Sequence, residues 1–350
     1  MENPLLELQE YENLREALKR AKGPVQATGT LDSQKVHLMY WLGKDGGFPW
    51  KLVVTYDDQR AREIYEDFRS FTENVWLYPA KDLLFYSADI HGNLMTRQRI
   101  AVWRHLMEEK EGVVVTTLDG LMDHLLPLVF LKQQAVTVEN GQIMDLDEWK
   151  ERLTALGYER TAQVDGMGQF SIRGGIVDIF PLTEEVPVRI ELWDDEVDSI
   201  RSFDPESQRS VEQLEKITIY PSAETILTKK QLEAGIERLE KEEKEYEAAL
   251  RAKHQIEEAS RIRGIIKELT EGIRQGWKRD GLDAYIRYFC PETVSFLDYF
   301  PAGDTLICLD EPARLKEKGE TVEQEFRESM IHRLEKGYLL PGQTELLYAG

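Results

Sequence analysis

Residues 170–181 read FSIRGGIVDIFP and residues 188–193 read VRIELW. In an extended chain successive side chains leave on opposite faces, so Phe170 and Ile172 share one face and Ser171 and Arg173 the other. The same parity groups Val188, Ile190 and Leu192 inward and sends Arg189, Glu191 and Trp193 outward. Gly174-Gly175 beside Arg173 marks a bulge or a close backbone approach that would re-aim the arginine. Around these segments the turns carry Asp194-Asp195-Glu196 and Asp204-Pro205. Five strand-like segments thus run from 168 to 221 without a helix of useful length between them. After a helix over 145–156, this is the pattern of a separate, mostly antiparallel β domain.

Outward from that block the grammar changes. KLVVTY (51–56), residues 75–78 and GVVVTT (112–117) are short apolar runs rich in β-branched residues, separated by helical stretches over 58–71 and 97–109. Such alternation predicts a parallel α/β sheet. Before it, Leu5, Leu6, Tyr11, Leu14 and Leu18 recur at helical spacing until Gly23-Pro24 stops the helix, and a loop leads to a second one. Beyond 221, Leu232, Ile236, Leu239, Tyr246 and Leu250 punctuate a charged segment over 228–275, which fits one long amphipathic helix or a helical hairpin. A last buried-type strand spans 305–309. If it joins the first sheet, the β domain is an insertion. The expected fold is therefore α/β: a discontinuous parallel-sheet domain (1–135 and 223–350) with an inserted, mostly antiparallel α+β domain (136–222). The end of the chain carries no stop signal of its own, as in a fragment of a longer protein.

Composition sets limits on function. The 350 residues suit two or three domains at roughly 100 to 200 residues each. With 44 Lys+Arg against 65 Asp+Glu the net charge is −21, which opposes the phosphate neutralisation behind non-specific DNA binding. Cys290 and Cys308 have no paired spacing, so neither a disulfide framework nor a zinc site is expected, and the setting is a reducing, cytoplasmic one. No apolar run is long enough to span a membrane and no signal peptide opens the chain.

One stretch approaches a phosphate loop, G-x-x-x-x-G-K-[ST], whose lysine and backbone N–H groups hold phosphate and whose hydroxyl holds Mg²⁺. Anchored on Ser33, the frame supplies Gln26, Leu31, Asp32 and Ser33, so both glycines fail and a carboxylate replaces the lysine. Anchored on Lys35, it supplies Gly29, Gln34, Lys35 and Val36, which restores the charge but not the second glycine or the hydroxyl. A turn before a helix accounts for the stretch equally well. Asp310-Glu311 after a buried strand has the shape of an acidic motif that binds Mg²⁺; with Pro312 it is also a helix start with an acidic cap. The six histidines show no metal-ligand spacing, and no catalytic set can be assembled. No catalytic, cofactor-binding or metal residue is therefore assigned.

Together, FSIRGGIVDIFP, RIELWDDEV (189–197) and FDP (203–205) closely resemble the UvrB family of bacterial nucleotide excision repair, and more closely still the UvrB-homology module of the transcription-repair coupling factors. ATGT (27–30) stands where UvrB has its phosphate loop, and the stretch from Leu297 to Asp310-Glu311 where it has its acidic motif. UvrB keeps its lysine and an aromatic hairpin; here Asp32 takes the lysine's place in the better-matching frame, and the 86–95 connection is too short for the hairpin. The resemblance implies a degenerate RecA-like domain that does not hydrolyse nucleotide. It implies a β domain that docks onto UvrA through Arg173, Arg189 and Trp193, recruiting repair to stalled RNA polymerase. It also implies an ATP- and Mg²⁺-dependent DNA translocase, with polymerase and DNA contacts, further along a longer chain. The competing expectation is a UvrB-type, nucleotide-driven binder of damaged DNA that uses Lys35 with Asp310 and Glu311. A further one is self-regulation, with later domains covering the UvrA-binding surface.

Overall fold

Buried on both faces, WKLVVT and GVVVTT form the two central strands of a parallel sheet, for which continuous apolar runs are the sequence signature. In the computed structural model, which describes residues 3–81, 93–276, 281–345 and 347–348, a short 3-10 turn and α1 (Gln9–Arg20) lead to α2 (Asp32–Asp45) and β1 (Trp50–Thr55). There follow α3 (Asp58–Arg69), β2 (Val75–Tyr78), α4 (Asn93–Glu108), β3 (Gly112–Thr117), α5 (Leu118–Met122), α6 (Leu128–Gln134) and β4 (Val136–Glu139). Asp57 starts α3 by accepting the Arg60 N–H at 2.7 Å. The expectation for the 86–95 connection falls largely on residues 82–92, outside those described.

The β region opens with α7 (Leu146–Ala155), capped by Asp145, which accepts from the N–H groups of Asp147 and Glu148. It continues with β5 (Glu159–Arg160), β6 (Gln169–Arg173), β7 (Ile176–Ile179), β8 (Val188–Trp193), β9 (Glu196–Phe203), β10 (Ser210–Leu214) and β11 (Lys216–Ile219). Six strands, not five, occupy 168–221. β10 is a solvent-facing edge strand with only Leu214 partly buried, so it lacks apolar alternation. The six-stranded sheet runs β10-β9-β8-β7-β6-β5, antiparallel except for β5 on β6, and β11 leaves it to pair with β4.

The segment over 228–275 is a hairpin: α8 (Lys229–Ala252) and α9 (Ile256–Arg274), broken where His254 takes φ 62°. Its inner faces, with Ile236, Leu239, Ile262, Ile266 and Leu269, make a core of their own. Last come α10 (Ile286–Phe289), β12 (Thr305–Leu309) and α11 (Pro312–Glu335). β12 pairs in parallel with β1, giving the order β12-β1-β3-β2. The α/β sheet is thus completed after the β region, and the fold is α/β with an inserted, mostly antiparallel β part. Val36, Ile64 and Phe68 cover one sheet face; Trp103, Tyr299, Phe300, Leu315 and Phe326 belong to the core on the other, which continues into Phe170, Ile190 and Ile200 of the β region. Among the described residues no helix is long and apolar enough to cross a membrane, and Cys290 and Cys308 are free thiols.

Candidate docking surface and degenerate nucleotide site

Strand register sorts the outer face of the β sheet into rows. Ser171, Asp178, Arg189 and Arg201 face one another across β6, β7, β8 and β9; Arg173, Ile176, Glu191 and Ser199 form the next row. Directly opposed residues of antiparallel strands project on the same side. Asp178 anchors the first row with a side chain only 1% exposed. Arg189 Nε donates to its Oδ1 at 2.6 Å, Arg189 Nη2 to Oδ2 at 2.9 Å, and Arg173 Nη2 to Oδ2 at 2.9 Å. The bonds from Asp178 outweigh partial burial and raise the Arg189 pKa above its ordinary value. The same guanidinium lies 4.6 Å over the Phe203 ring, and Nη2 also donates to Gln208 Oε1 at 3.0 Å. Arg201 pairs with Glu191.

Parity put Arg173, Arg189 and Trp193 outside, and the structure grades them. Trp193 is 81% exposed and the Arg173 side chain 51%, whereas that of Arg189 is 17%. Arg189 therefore lies flat on the sheet and offers an edge. Ser171, expected outward, is buried: its Oγ donates to the Ala162 carbonyl at 3.0 Å, because the chain entering β6 folds back over it. Gly174, at φ 60°, and Gly175 make the β6–β7 turn. The Leu192 N–H donates to the Gly175 carbonyl at 2.8 Å, and a Cβ on Gly175 would stand 3.0 Å from the Leu192 oxygen. The glycines thus bring the start of β7 close against the end of β8. Trp193 follows at the tip of the β8–β9 hairpin, whose turn holds Asp194 at φ 59°.

The second candidate region lies at the carboxyl ends of the parallel strands. Gln26 and Gly29 lie in the loop before α2, Leu31 is its N-cap residue, and Asp32 and Ser33 begin its first turn. One turn further, Lys35 Nζ lies 3.0 Å from Asp310 Oδ1, 2.6 Å from Glu311 Oε1 and 3.1 Å from Asp32 Oδ1. From the other side Arg60 Nε donates to Asp310 Oδ2 at 3.1 Å and Arg60 Nη2 to Asp32 Oδ1 at 3.1 Å. Thr55 Oγ1 donates to Asp310 Oδ2 at 3.1 Å. Burial works against charge on Lys35, but its bonds to Glu311, Asp310 and Asp32 outweigh it and hold the ammonium above its usual pKa. Asp32 is held below the usual carboxylate range by the Lys35 bond and the Arg60 charge. Asp310 is not the cap of α11: its side chain is fully buried in this cluster, and the position before Pro312 is taken by Glu311 at φ 53° with no side-chain cap bond. The carboxylates that an acidic motif would turn to a metal are thus already neutralised by two cations of the chain.

Residues 136–224 match the family model of the UvrB interaction domain. The chain is 34% identical over 291 residues to the transcription-repair-coupling factor of Bacillus subtilis (strain 168), covering 83% of this chain and 24% of that protein. To those of Staphylococcus haemolyticus and Staphylococcus aureus (strain MRSA252) it is 30% identical over 305 residues and 31% over 306, each covering 85% of this chain and 25% of the relative. The chain is a relative of the N-terminal module of the coupling factors. It spans about a quarter of the length of the curated relatives it matches.

The family match contains Arg173, Asp178, Arg189 and Trp193 and ends at Glu224. There Arg99, fully buried, binds Glu224 Oε2 through Nε at 2.9 Å and Asp123 Oδ2 through Nη2 at 2.7 Å, while Lys81 lies 3.2 Å from Glu224. Arg99 thus ties the exit of the β region to α4 and to the chain after α5. Reading the sequence missed Asp178 and Arg60. Extending the parity argument to IVDI would have put Asp178 on the outer face, though only the register sets it opposite Arg189; nothing local signals Arg60, which meets Asp310 from 250 positions away.

Proposed function

We propose that this chain is a docking module that recruits UvrA, and with it nucleotide excision repair, to RNA polymerase stalled at DNA damage. The observation that carries this reading is the β-sheet face on which buried Asp178 fixes Arg173 and Arg189 beside a Trp193 that is 81% exposed. Arg and Trp are the residue types that anchor interfaces, and a large aromatic left in water without an internal partner gains most from a partner's cleft. Support also comes from the match to the UvrB interaction domain and from the name carried by the relatives. In this reading the division into 1–135, 136–222 and 223–350 separates scaffold from docking domain. The module hydrolyses no nucleotide, because Lys35 and Arg60 occupy Asp310 and Glu311. ATP, Mg²⁺, DNA translocation and the grip on polymerase belong to other parts of a longer protein.

The test is isothermal titration of purified UvrA with the wild-type chain and with Arg173→Ala and Trp193→Ala. Each truncation of an anchor costs about 2 kcal/mol, a roughly 30-fold weaker Kd. Wild-type affinity in both variants would overturn the reading.

The proximity of Lys35 to Asp310 and Glu311 favours a second reading, a UvrB-type nucleotide-driven protein bound to damaged DNA. It requires ATP to displace an ion-paired lysine. Binding of a fluorescent ATP analogue at micromolar concentration, lost in Lys35→Ala, would establish it; no binding leaves docking as the function.

A further inference from the structure

The exposed hydrophobic side chains of the β sheet's outer face do not stop at Trp193. Glu196 is bridged on one side by Trp193 across the β8–β9 hairpin and on the other by Ile143, an antiparallel bridge from the loop before α7. Opposed residues in antiparallel pairs project to the same side, so the three stand in a row with Glu196 in the middle. Ile143 is 62% exposed and Trp193 81%. The loop carrying Ile143 is held as firmly as a strand: the Val197 N–H donates to the Gln142 carbonyl at 2.8 Å, Gly141 to Val197 at 2.8 Å and Met144 to Asp195 at 2.7 Å. Met144, next in the chain, is buried, which fixes Ile143 facing water. Residues 194–198 (DDEVD) place four exposed carboxylates around this pair, with no Lys or Arg from 190 to 200.

We infer that the docking surface continues across the hairpin tip onto Ile143, so that Trp193 and Ile143 act as two apolar prongs astride Glu196. The occupant is a protein cleft with an apolar floor and a rim of Lys or Arg side chains. The apolar pair gives area, and the carboxylates select the sign of the rim and speed encounter. Arg173, one row back, then faces an acidic or carbonyl group of the same partner. This inference rests on the docking function proposed above and adds to it the residue Ile143 and the chemistry of the partner.

The experiment titrates UvrA into the wild type, Ile143→Ala, Ile143→Asp, Glu196→Lys, Arg173→Ala and Trp193→Ala, each at low and high salt. Thermal melts confirm that the variants fold, as expected for exposed positions. The expected result is affinity about tenfold weaker in Ile143→Ala and weaker still in Ile143→Asp, with Glu196→Lys weakened at low salt and recovering towards wild type at high salt. If Arg173→Ala or Trp193→Ala weakens binding while both Ile143 variants bind as wild type, the surface ends at Trp193 and this inference falls while docking stands. If Arg173→Ala and Trp193→Ala also both bind as wild type, the docking reading falls and takes the inference with it.

Discussion

Lys35 Nζ lies 3.0 Å from Asp310 Oδ1, joining the first turn of α2 to the end of β12 across 275 positions of sequence. The other oxygen of Asp310 accepts from Arg60 and Thr55, so one buried carboxylate ties together α2, α3, β1 and the start of α11. Removing the carboxylate leaves two cations facing each other in a partly buried place, whereas removing Lys35 leaves Asp310 still paired with Arg60. Asp310→Ala is therefore expected to lose about 3 kcal/mol in urea unfolding, and Lys35→Met clearly less. Equal losses would show that the two cations do not share the load.

Among the described residues Arg99 is the largest fully buried side chain, lying 4.3 Å over the Tyr78 ring with Asp123, Glu224 and the Pro79 carbonyl as hydrogen-bond partners. Arg99→Met keeps much of the volume but leaves two buried carboxylates without their cation, at a cost of about 3–5 kcal/mol at pH 7. Burial, against the pull of Arg99, already raises the Asp123 pKa. Without the arginine the folded-state pKa rises further above the unfolded value, so the variant's stability falls as pH rises. The difference from wild type, measured by denaturant titration, should shrink between pH 7 and pH 5.

Asp178 and Trp193 separate stability from docking. Trp193 is exposed at a hairpin tip, so Trp193→Ala should change stability by no more than about 0.5 kcal/mol while weakening UvrA binding. Asp178→Ala unpairs Arg189 and Arg173 together and is expected to cost about 2–3 kcal/mol, with UvrA binding also weakened because the arginines lose their orientation. Thermal melts beside titrations of both variants check this; a destabilised Trp193→Ala would contradict the exposed hairpin tip.

His124 supplies a pH dependence. Burial and then the charge of Arg287 lower its pKa to about 4, while its Nδ1 lies 2.6 Å from Thr293 Oγ1. Above pH 6.5 the ring is neutral in both folded and unfolded chains, and its contribution is complete. As pH falls from 6.5 towards 4 the unfolded chain takes up a proton that the folded one refuses, so stability declines. Discounted for partial exposure, the loss is about 1–2 kcal/mol. Subtracting the pH profile of His124→Gln from that of wild type isolates it; parallel profiles would refute it.

Much of this was legible in the chain itself. The largely apolar, β-branched runs at 51–56 and 112–117 point to burial on both faces, and the alternation in 170–173 and 188–193 requires one wet face, since period-two patterning needs no tertiary information. Trp193 and Arg173 could therefore be placed outside from parity alone. In the frame anchored on Ser33, the loss of both phosphate-loop glycines and the standing of Asp32 in the lysine's place were equally direct, as was the loss of the second glycine in the frame anchored on Lys35.

What tertiary structure decided is where charges meet. Ser171 has the parity of a surface residue and is buried because the chain entering β6 folds back over it. Arg189 has the parity of an exposed arginine and lies flat because Asp178 and Phe203 hold it. Whether the 228–275 helix bends back, whether β12 closes the first sheet, and whether Lys35 faces a ligand or Asp310 all depend on contacts between residues far apart in sequence. Periodicity reports only which face of an element is apolar; which carboxylate then satisfies which cation is set by the packing of those faces, where burial makes an unpaired charge too costly to leave.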